Sequence, residues 1–232
     1  MTLALDVCID VSDNNGAVDW PAVFAAGIRL AFVKIMQSPT SPYPWGRINL
    51  LAARQAGLIA VPYLFVQNCA ASAAVMGFVD RAELARGEAF ALDWEGRASQ
   101  AGPADLVEEI GEGIAAIAGR PPIGYWGIPG STPTSPTARM LGWDRWVPRY
   151  PAEGVRDWAG VPPRWQLSPE LYWRVSALVA GLPLVAQYTA WGRIAGISGN
   201  VDRSVIFAPD GAGDDWLASR FTPPAAGAPE AR

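Results

Sequence analysis

Four stretches of this chain share one rhythm: a helix-like segment ends at a glycine and an apolar run follows. The glycines stand at positions 27, 57, 87 and 119, at intervals of 30, 30 and 32 residues. The runs that follow them are IRLAFVKI, LIAVPYLF, EAFALDWE and RPPIGYWG. Glycine just past a helix C-terminus accepts the left-handed conformation that ends the helix. About thirty residues is the length of one strand-plus-helix unit. Such units in series build a parallel sheet covered by helices.

The intervening helices are legible. Asp19-Trp20-Pro21 places an N-cap ahead of a proline in the first turn. Residues 48–56, 70–86 and 104–118 repeat the amphipathic pattern, the last with Leu106, Ile110, Ile114 and Ile117 at helical spacing. A further helix opens at Ser168-Pro169-Glu170 and ends at Gly181. The later segments 145–150, 183–189 and 204–207 read as strands, with a helix only between the first two. The fold class is therefore α/β, a single irregular TIM-like barrel of about eight mostly parallel strands. Helices surround the first four or five strands, and few lie among the last three. An open doubly wound sheet is the alternative. Residues 127–136 and 151–164 read as loops. The barrel domain is expected over 1–221, with a low-complexity tail over 222–232.

Composition removes much of the enzyme menu. The chain has no histidine, which excludes Ser-His-Asp and Cys-His catalytic units and the usual imidazole-held zinc sites. Two cysteines, Cys8 and Cys69, make neither a four-thiolate metal site nor a disulfide framework, and both read as free thiols. Acid/base work falls to Asp, Glu, Lys, Tyr or Cys. The net charge of −4 carries no basic surplus of the kind that marks nucleic-acid binding. No apolar run is long enough to cross a membrane, and the opening MTLALDVCIDV is a poor signal peptide. The expectations are no metal, no cofactor, no nucleic acid, no membrane insertion and a monomer.

Parallel barrels carry their working residues where strands end and loops begin. The first five strands are expected to end at Asp10, at 34–37, at 63–65, at 93–95 and at Tyr125-Trp126. Tyr63, Asp93 and Tyr125 each lie six residues past their glycine, which predicts similar heights in neighbouring strands. Asp93 and Glu95 are two residues apart, so both side chains share one face and Trp94 takes the other. Crowded carboxylates in an apolar setting have their pKa values pushed apart, leaving one protonated beside an ionised partner. That pairing suits cleavage of a glycosidic bond. Eleven tryptophans, among them Trp94, Trp126, Trp143, Trp146, Trp165 and Trp191, are consistent with a sugar groove, because flat rings stack on sugar faces. Lys34 reads as a buried cation paired with a carboxylate.

Five segments in register resemble one family. CIDVSDNNGAVDWPAVFAAGIRLAFVKIMQS, FALDWEG, PIGYWG, RWVPRY and AQYTAWGRIAGISGNVDRSVIF are similar, from about residue 6 to 207, to the glycoside hydrolase family 25 lysozymes, phage endolysins included. The resemblance implies four acidic site residues: Glu95 as the acid, Asp93 as its partner, and Asp10 and Asp202 shaping the field. It places Tyr63 and Tyr125 at aromatic site positions, and with them we group Trp126, Trp146, Gln187 and Tyr188 as substrate-binding candidates. It implies hydrolysis of the β-1,4 bond between N-acetylmuramic acid and N-acetylglucosamine in peptidoglycan glycan strands. The enzyme would reach the wall after holin-type release or virion delivery. The competing expectation is a lysozyme-like glycan-binding or phage structural protein with little turnover. Three departures bear on subsites: Met36-Gln37-Ser38 stands where the family often has Thr-Glu-Gly, Leu64 stands in place of a histidine, and the stretch 151–181 is longer than expected.

Overall fold

The structure, a computed structural model, describes residues 2–96, 98–126, 135–148 and 184–223. The expected helix at 168–181, the loop at 151–164, most of the loop at 127–136 and the tail beyond Pro223 lie outside the described residues.

Nine strands form one sheet. They are β1 (Thr2–Val11), β2 (Leu30–Ser38), β3 (Ser41–Pro42), β4 (Ile59–Phe65), β5 (Ala91–Asp93), β6 (Ile123–Tyr125), β7 (Asp144–Pro148), β8 (Val185–Gly192) and β9 (Val201–Pro209). The order β1-β9-β8-β7-β6-β5-β4-β2-β3, with a further β1–β2 pairing, closes eight of them into a barrel and leaves β3 as a short flap on β2. The helices among the described residues are α1 (Trp20–Ala25), α2 (Gly46–Gln55), α3 (Ala71–Ala82), α4 (Ala98–Ala101), α5 (Ala104–Ala118) and α6 (Asp214–Phe221).

The glycine rhythm has the expected structural meaning at Gly27, Gly57 and Gly119, but α3 stops at Ala82 rather than running to 86, closed by Glu83 in the left-handed conformation, so Gly87 turns the chain after the helix has ended. Gly27, Gly57, Gly87 and Gly119 all have positive φ, between 73° and 103°. The Asp19 side chain caps α1 by accepting from the Ala22 N–H. Pro62 is tolerated inside β4 for a positional reason. The Ile59 N–H faces β2 and the Val66 N–H faces β5, so by alternation position 62 turns its missing N–H toward β5. Pairing with β5 begins only at Tyr63, so no ladder bond is lost there.

Six barrel pairings are parallel, and the two that involve β9 are antiparallel. The barrel is therefore mixed. The cause is the short connection 193–200: a parallel return needs a crossover of a dozen or more residues, so β8 and β9 form a hairpin. β9 then closes the barrel against β1.

Alternation along the strands separates two cores. Cys8, Phe32, Tyr63, Ala91, Tyr125, Trp146, Val185 and Ile206 fill the barrel interior. Ile9, Val33, Leu64, Leu92 and Trp94 point outward and pack on Trp20, Leu50, Phe78, Ile110 and Ile114 of the helices. Outside the antiparallel strands, the buried Arg203 guanidinium bonds Asp6 Oδ2 at 2.5 Å, and the Tyr188 hydroxyl donates to Asp6 Oδ1 at 2.9 Å. Cys8 and Cys69 are free, and burial pushes the Cys8 thiol upward.

Gly124 faces outward on β6, where a β-carbon would overlap the Trp126 ring. Gly124→Ala is therefore expected to cost about 1–3 kcal/mol of stability, measured by urea unfolding. An unchanged midpoint would show that the Trp126 ring moves aside freely.

Candidate active site

The C-terminal ends of the parallel strands open onto a cavity of about 330 Å³. Its floor is aromatic. Trp146 stacks on Phe32 with ring centroids 4.3 Å apart, meets Tyr125 edge-on at 4.6 Å and Tyr63 at 5.9 Å. The Trp146 indole N–H is satisfied by Ser204 Oγ at 3.3 Å. Above this floor the lining includes Asp10, Asp93, Glu95 and Asp202, with Lys34 and Gln187.

Each carboxylate arrives by strand geometry. Asp10 on β1 pairs directly with Asp202 on antiparallel β9. Asp93 ends β5, and Glu95 follows two residues on, so both turn inward while Trp94 is buried outward with its indole N–H on Gly102 O at 3.2 Å. Tyr125 is level with Asp93. Tyr63 is not: Phe65 pairs with Asp93, and Tyr63 pairs with Ala91, one inward step deeper. Equal distance from a glycine does not give equal height, because closing a tilted barrel staggers neighbouring strands.

A hydrogen-bond relay joins the two sides of the pit. The Tyr125 hydroxyl donates to Gln187 Oε1 at 2.8 Å, and Gln187 Nε2 donates to Asp10 Oδ2 at 3.1 Å. Asp93 Oδ1 is buried and has no hydrogen-bond partner among the described residues. An unmet buried acceptor costs free energy, and it is tolerated where a ligand donor will meet it.

The electrostatics follow from burial over an apolar floor. Desolvation pushes Asp10 well above the usual carboxylate range, and Asp202 and Asp93 add repulsion, while the Gln187 amide opposes. Asp93 is also raised well above that range by desolvation and by Glu95, and the Lys34 charge opposes. Glu95 is raised by desolvation and by Asp202, with Lys34 again opposing. Desolvation pushes Asp202 up to about 6 although a hydrogen bond with Asp10 pulls the other way. Lys34, the only lysine in the chain, is 7 % exposed. Its ammonium donates to Gln37 Oε1 at 3.1 Å, lies 3.6 Å from Asp13 Oδ1 and sits 5.0 Å over the Phe65 ring. Its carboxylate partner, Asp13, is largely exposed. Gln37 is neutral, so the Lys34 charge also acts on the pit carboxyls Asp93 and Glu95.

Of the expected site residues, Asp10, Asp93, Glu95, Asp202, Tyr63, Tyr125, Trp146 and Gln187 line the cavity. Two do not. Trp126 follows inward Tyr125, so it points outward and packs edge-on to Trp143. Tyr188 follows inward Gln187, so it lies on the outer face with Asp6. The expected tryptophan groove is corrected as well. Trp94, Trp126 and Trp143 fill the layer between barrel and helices, and Trp165 lies outside the described residues. Trp191 is 43 % exposed and outside the lining. Ser12, Asn14, Phe65 and Ala190 also line the cavity; for the first two, the polar run directly after Asp10 was the available signal. Among the described residues, no group of three or more side chains is arranged to hold a metal ion.

The family model that matches, described as "Glycosyl hydrolases family 25", covers residues 9–170. The chain belongs to glycosyl hydrolase family 25. It is a glycoside hydrolase, and the carboxylate pit lies at the C-terminal ends of the parallel strands, the end at which parallel-barrel enzymes carry their active sites. Solved structures share the fold. The bacterial lysozyme from Streptomyces coelicolor superposes with a TM-score of 0.63 at 21% identity, covering 91% of this chain and 94% of that one. A glycosyl hydrolase 25 of Streptococcus pneumoniae, described as a virulence factor in host cell invasion, gives 0.66 at 16% identity over 94% and 93%. The catalytic domain of endolysin ply40 from bacteriophage P40 of Listeria monocytogenes gives 0.58 at 14% identity over 89% and 93%. Comparison with curated protein sequences returns no match.

Because Asp202 is raised in the folded chain, the native state binds the extra proton between about pH 4, the unfolded value, and about pH 6. Stability contributed by this group is present below the unfolded pKa and is lost as pH rises toward the folded one. Asp202→Asn is therefore expected to stabilise the fold at pH 7 by about 1–2 kcal/mol, allowing for the group's partial exposure. The gain should vanish below about pH 4. Urea melts of both proteins at pH 3.5 and 7 test this, and an equal difference at both pH values would contradict it.

Proposed function

We propose that this family 25 enzyme is a peptidoglycan muramidase, cutting the β-1,4 bond between N-acetylmuramic acid and N-acetylglucosamine. The observation that supports this most is the pit itself: Glu95 and Asp93 share one face above an aromatic floor, with both carboxyls raised. A raised Glu95 keeps its proton to higher pH than an ordinary carboxyl and delivers it to the leaving oxygen as the C1–O bond breaks. The unmet Asp93 oxygen accepts the N–H of the reacting sugar's 2-acetamido group and turns that group's carbonyl toward C1. Asp10 and Asp202 lie side by side on the wall opposite Asp93 and Glu95 and offset the positive charge that develops on the ring. The floor of Trp146, Tyr63 and Tyr125 supports the apolar face of the sugar. The fold is shared with a phage endolysin, and lysis or penetration of a bacterial wall by a phage is the biological role we assign.

Digestion of purified peptidoglycan with mass spectrometry of the reduced products tests the reading. Muropeptides ending in reduced muramic acid are expected. Glu95→Gln should lower turnover by about a hundredfold or more with the fold intact. Release of products ending in reduced glucosamine, or none from several wall types, would contradict it. The latter result would favour a lysozyme-like barrel that binds glycan without turnover.

Lys34 tunes both partners. Its charge lowers Glu95 and Asp93 alike, so Lys34→Met raises both. Both limbs of the pH–rate profile, which the coupled Asp93–Glu95 pair sets together, should move to higher pH. Lys34→Arg should largely restore the profile. Limbs that stay in place in Lys34→Met would remove the lysine from this role.

A further inference from the structure

The sequence of β1 is compatible with two registers. Odd positions from Leu5 to Val11 are Leu, Val, Ile and Val, and the even positions 6, 8 and 10 are Asp, Cys and Asp. Strict alternation would keep Leu5, Val7, Ile9 and Val11 on one face and put Asp6 and Asp10 together on the other. The structure breaks that pattern. Leu5 pairs with Ile206 of β9 and Cys8 pairs with Ser204, so β1 carries one extra residue between the two pairs. Such a β-bulge bends the strand and re-aims its side chains. Leu5 and Cys8 both join the interior cluster, while Ile9 and Val11 join the outer one. Asp6 therefore stays outside the barrel and Asp10 enters the pit.

We propose that the buried Asp6–Arg203 pair, with Tyr188, is the register lock that holds this bulge and so points Asp10 into the pit. Asp6 and Arg203 are then positioning residues for the hydrolysis, an assignment that rests on the muramidase reading for its rate assay alone.

The register shifts along β9 converge on one side chain. The shift against β1 supplies Asp6, whose Oδ2 accepts from the Arg203 guanidinium at 2.5 Å. A second shift, against β8, falls between the Gln187–Ser204 and Thr189–Arg203 pairs, and the extra residue there is Tyr188. Its hydroxyl donates to Asp6 Oδ1 at 2.9 Å, and its ring centroid lies 5.7 Å from Arg203 Cζ. A third shift precedes the Gly192–Val201 pair. At Gly192 a β-carbon would stand 2.6 Å from Arg203 Cδ, so the glycine leaves the room that the arginine side chain fills.

The lock supplies what apolar burial does not. Both faces of β1 are buried, so hydrophobic pattern alone separates the two registers weakly. Ladder bonds are locally disrupted at a bulge, and here side-chain bonds tie the strand instead. Removing the bulge would slide part of β1 by about 3.3 Å against β9, a shift that bonds of hydrogen-bond length do not survive. Asp6 and Arg203 are both fully buried. A buried ion pair contributes little net stability over apolar side chains of similar size, and fixing a register is its best-attested use.

The test is the full chain carrying Asp6→Leu and Arg203→Met together, which leaves neither charge buried alone. Carbon-13 NMR titration of Asp10 needs no substrate and reads the lock apart from the muramidase reading. The Asp10 carboxyl is expected to fall from its wild-type value toward the ordinary range near about pH 4. On peptidoglycan, kcat should fall about tenfold or more with KM little changed, the sign of lost transition-state stabilisation. Adding Asp10→Asn to this protein should cost nothing further, because the two changes remove one effect. Arg203→Lys, which keeps a cation on Asp6, should retain most of the turnover. An Asp10 titration that matches the wild type, or an Asp10→Asn loss as large in the double variant as in the wild type, would overturn the lock. If the double variant does not fold, Gly192→Ala decides, because the added methyl displaces Arg203 with both charges kept. It should shift Asp10 and kcat in the same directions, and no shift in either would overturn the lock. A lowered Asp10 beside a wild type that digests no wall would leave the lock standing and overturn the muramidase reading.

Discussion

β9 runs antiparallel to β1, and that single pairing sets Asp10 opposite Asp202 at the mouth of the barrel. Everything at the site depends on this closure. It crowds two carboxyls from one wall against Asp93 and Glu95 from the other, over a floor of aromatic rings. Like charges so placed repel, and desolvation raises the cost of ionising each one. The arrangement persists because the closure is fastened elsewhere. On the outer face the buried Asp6–Arg203 pair joins β1 to β9, and Tyr188 adds β8 to the same carboxylate. Inside, Gln187 bridges Tyr125 and Asp10. Stability is thus given up at the site and recovered around it, the pattern expected where strain serves chemistry.

The first half of the fold is legible in the sequence because its signals are local. Glycine-ended helices, the Asp19 cap and the inward alternation of Asp93 and Glu95 need only a few neighbouring residues. The antiparallel turn at the end is not local. It follows from the length of the 193–200 connection and from β9 finding β1, a partner nearly two hundred residues away in sequence. The same limit explains Trp126 and Tyr188. Each stands next to a true lining residue, and a one-residue step on a strand reverses the face. Tyr63 shows a third limit, since barrel stagger cannot be counted from a glycine. Asp6 is a signal left unused: a carboxylate buried in an apolar strand must have a partner, and Arg203 and Tyr188 are among its partners.

Lys34 and Gln37 illustrate how one substitution redistributes charge. With a neutral amide beside it and its carboxylate partner Asp13 largely exposed, the only lysine becomes the counterweight to Asp93 and Glu95. The pit then is acidic at the centre and cationic on the β2 side.

The central claim is that barrel closure makes these four carboxyls share one pit over an aromatic floor and hold protons above their ordinary range. Carbon-13 NMR titration of the side-chain carboxyls from pH 3 to 8 measures this directly. At least one of the four is expected to titrate near or above pH 6, as for Asp202. Asp202→Asn should bring Asp10 and Glu95 down, because its repulsion is removed. Four ordinary titrations near pH 4, unmoved by that substitution, would contradict the claim.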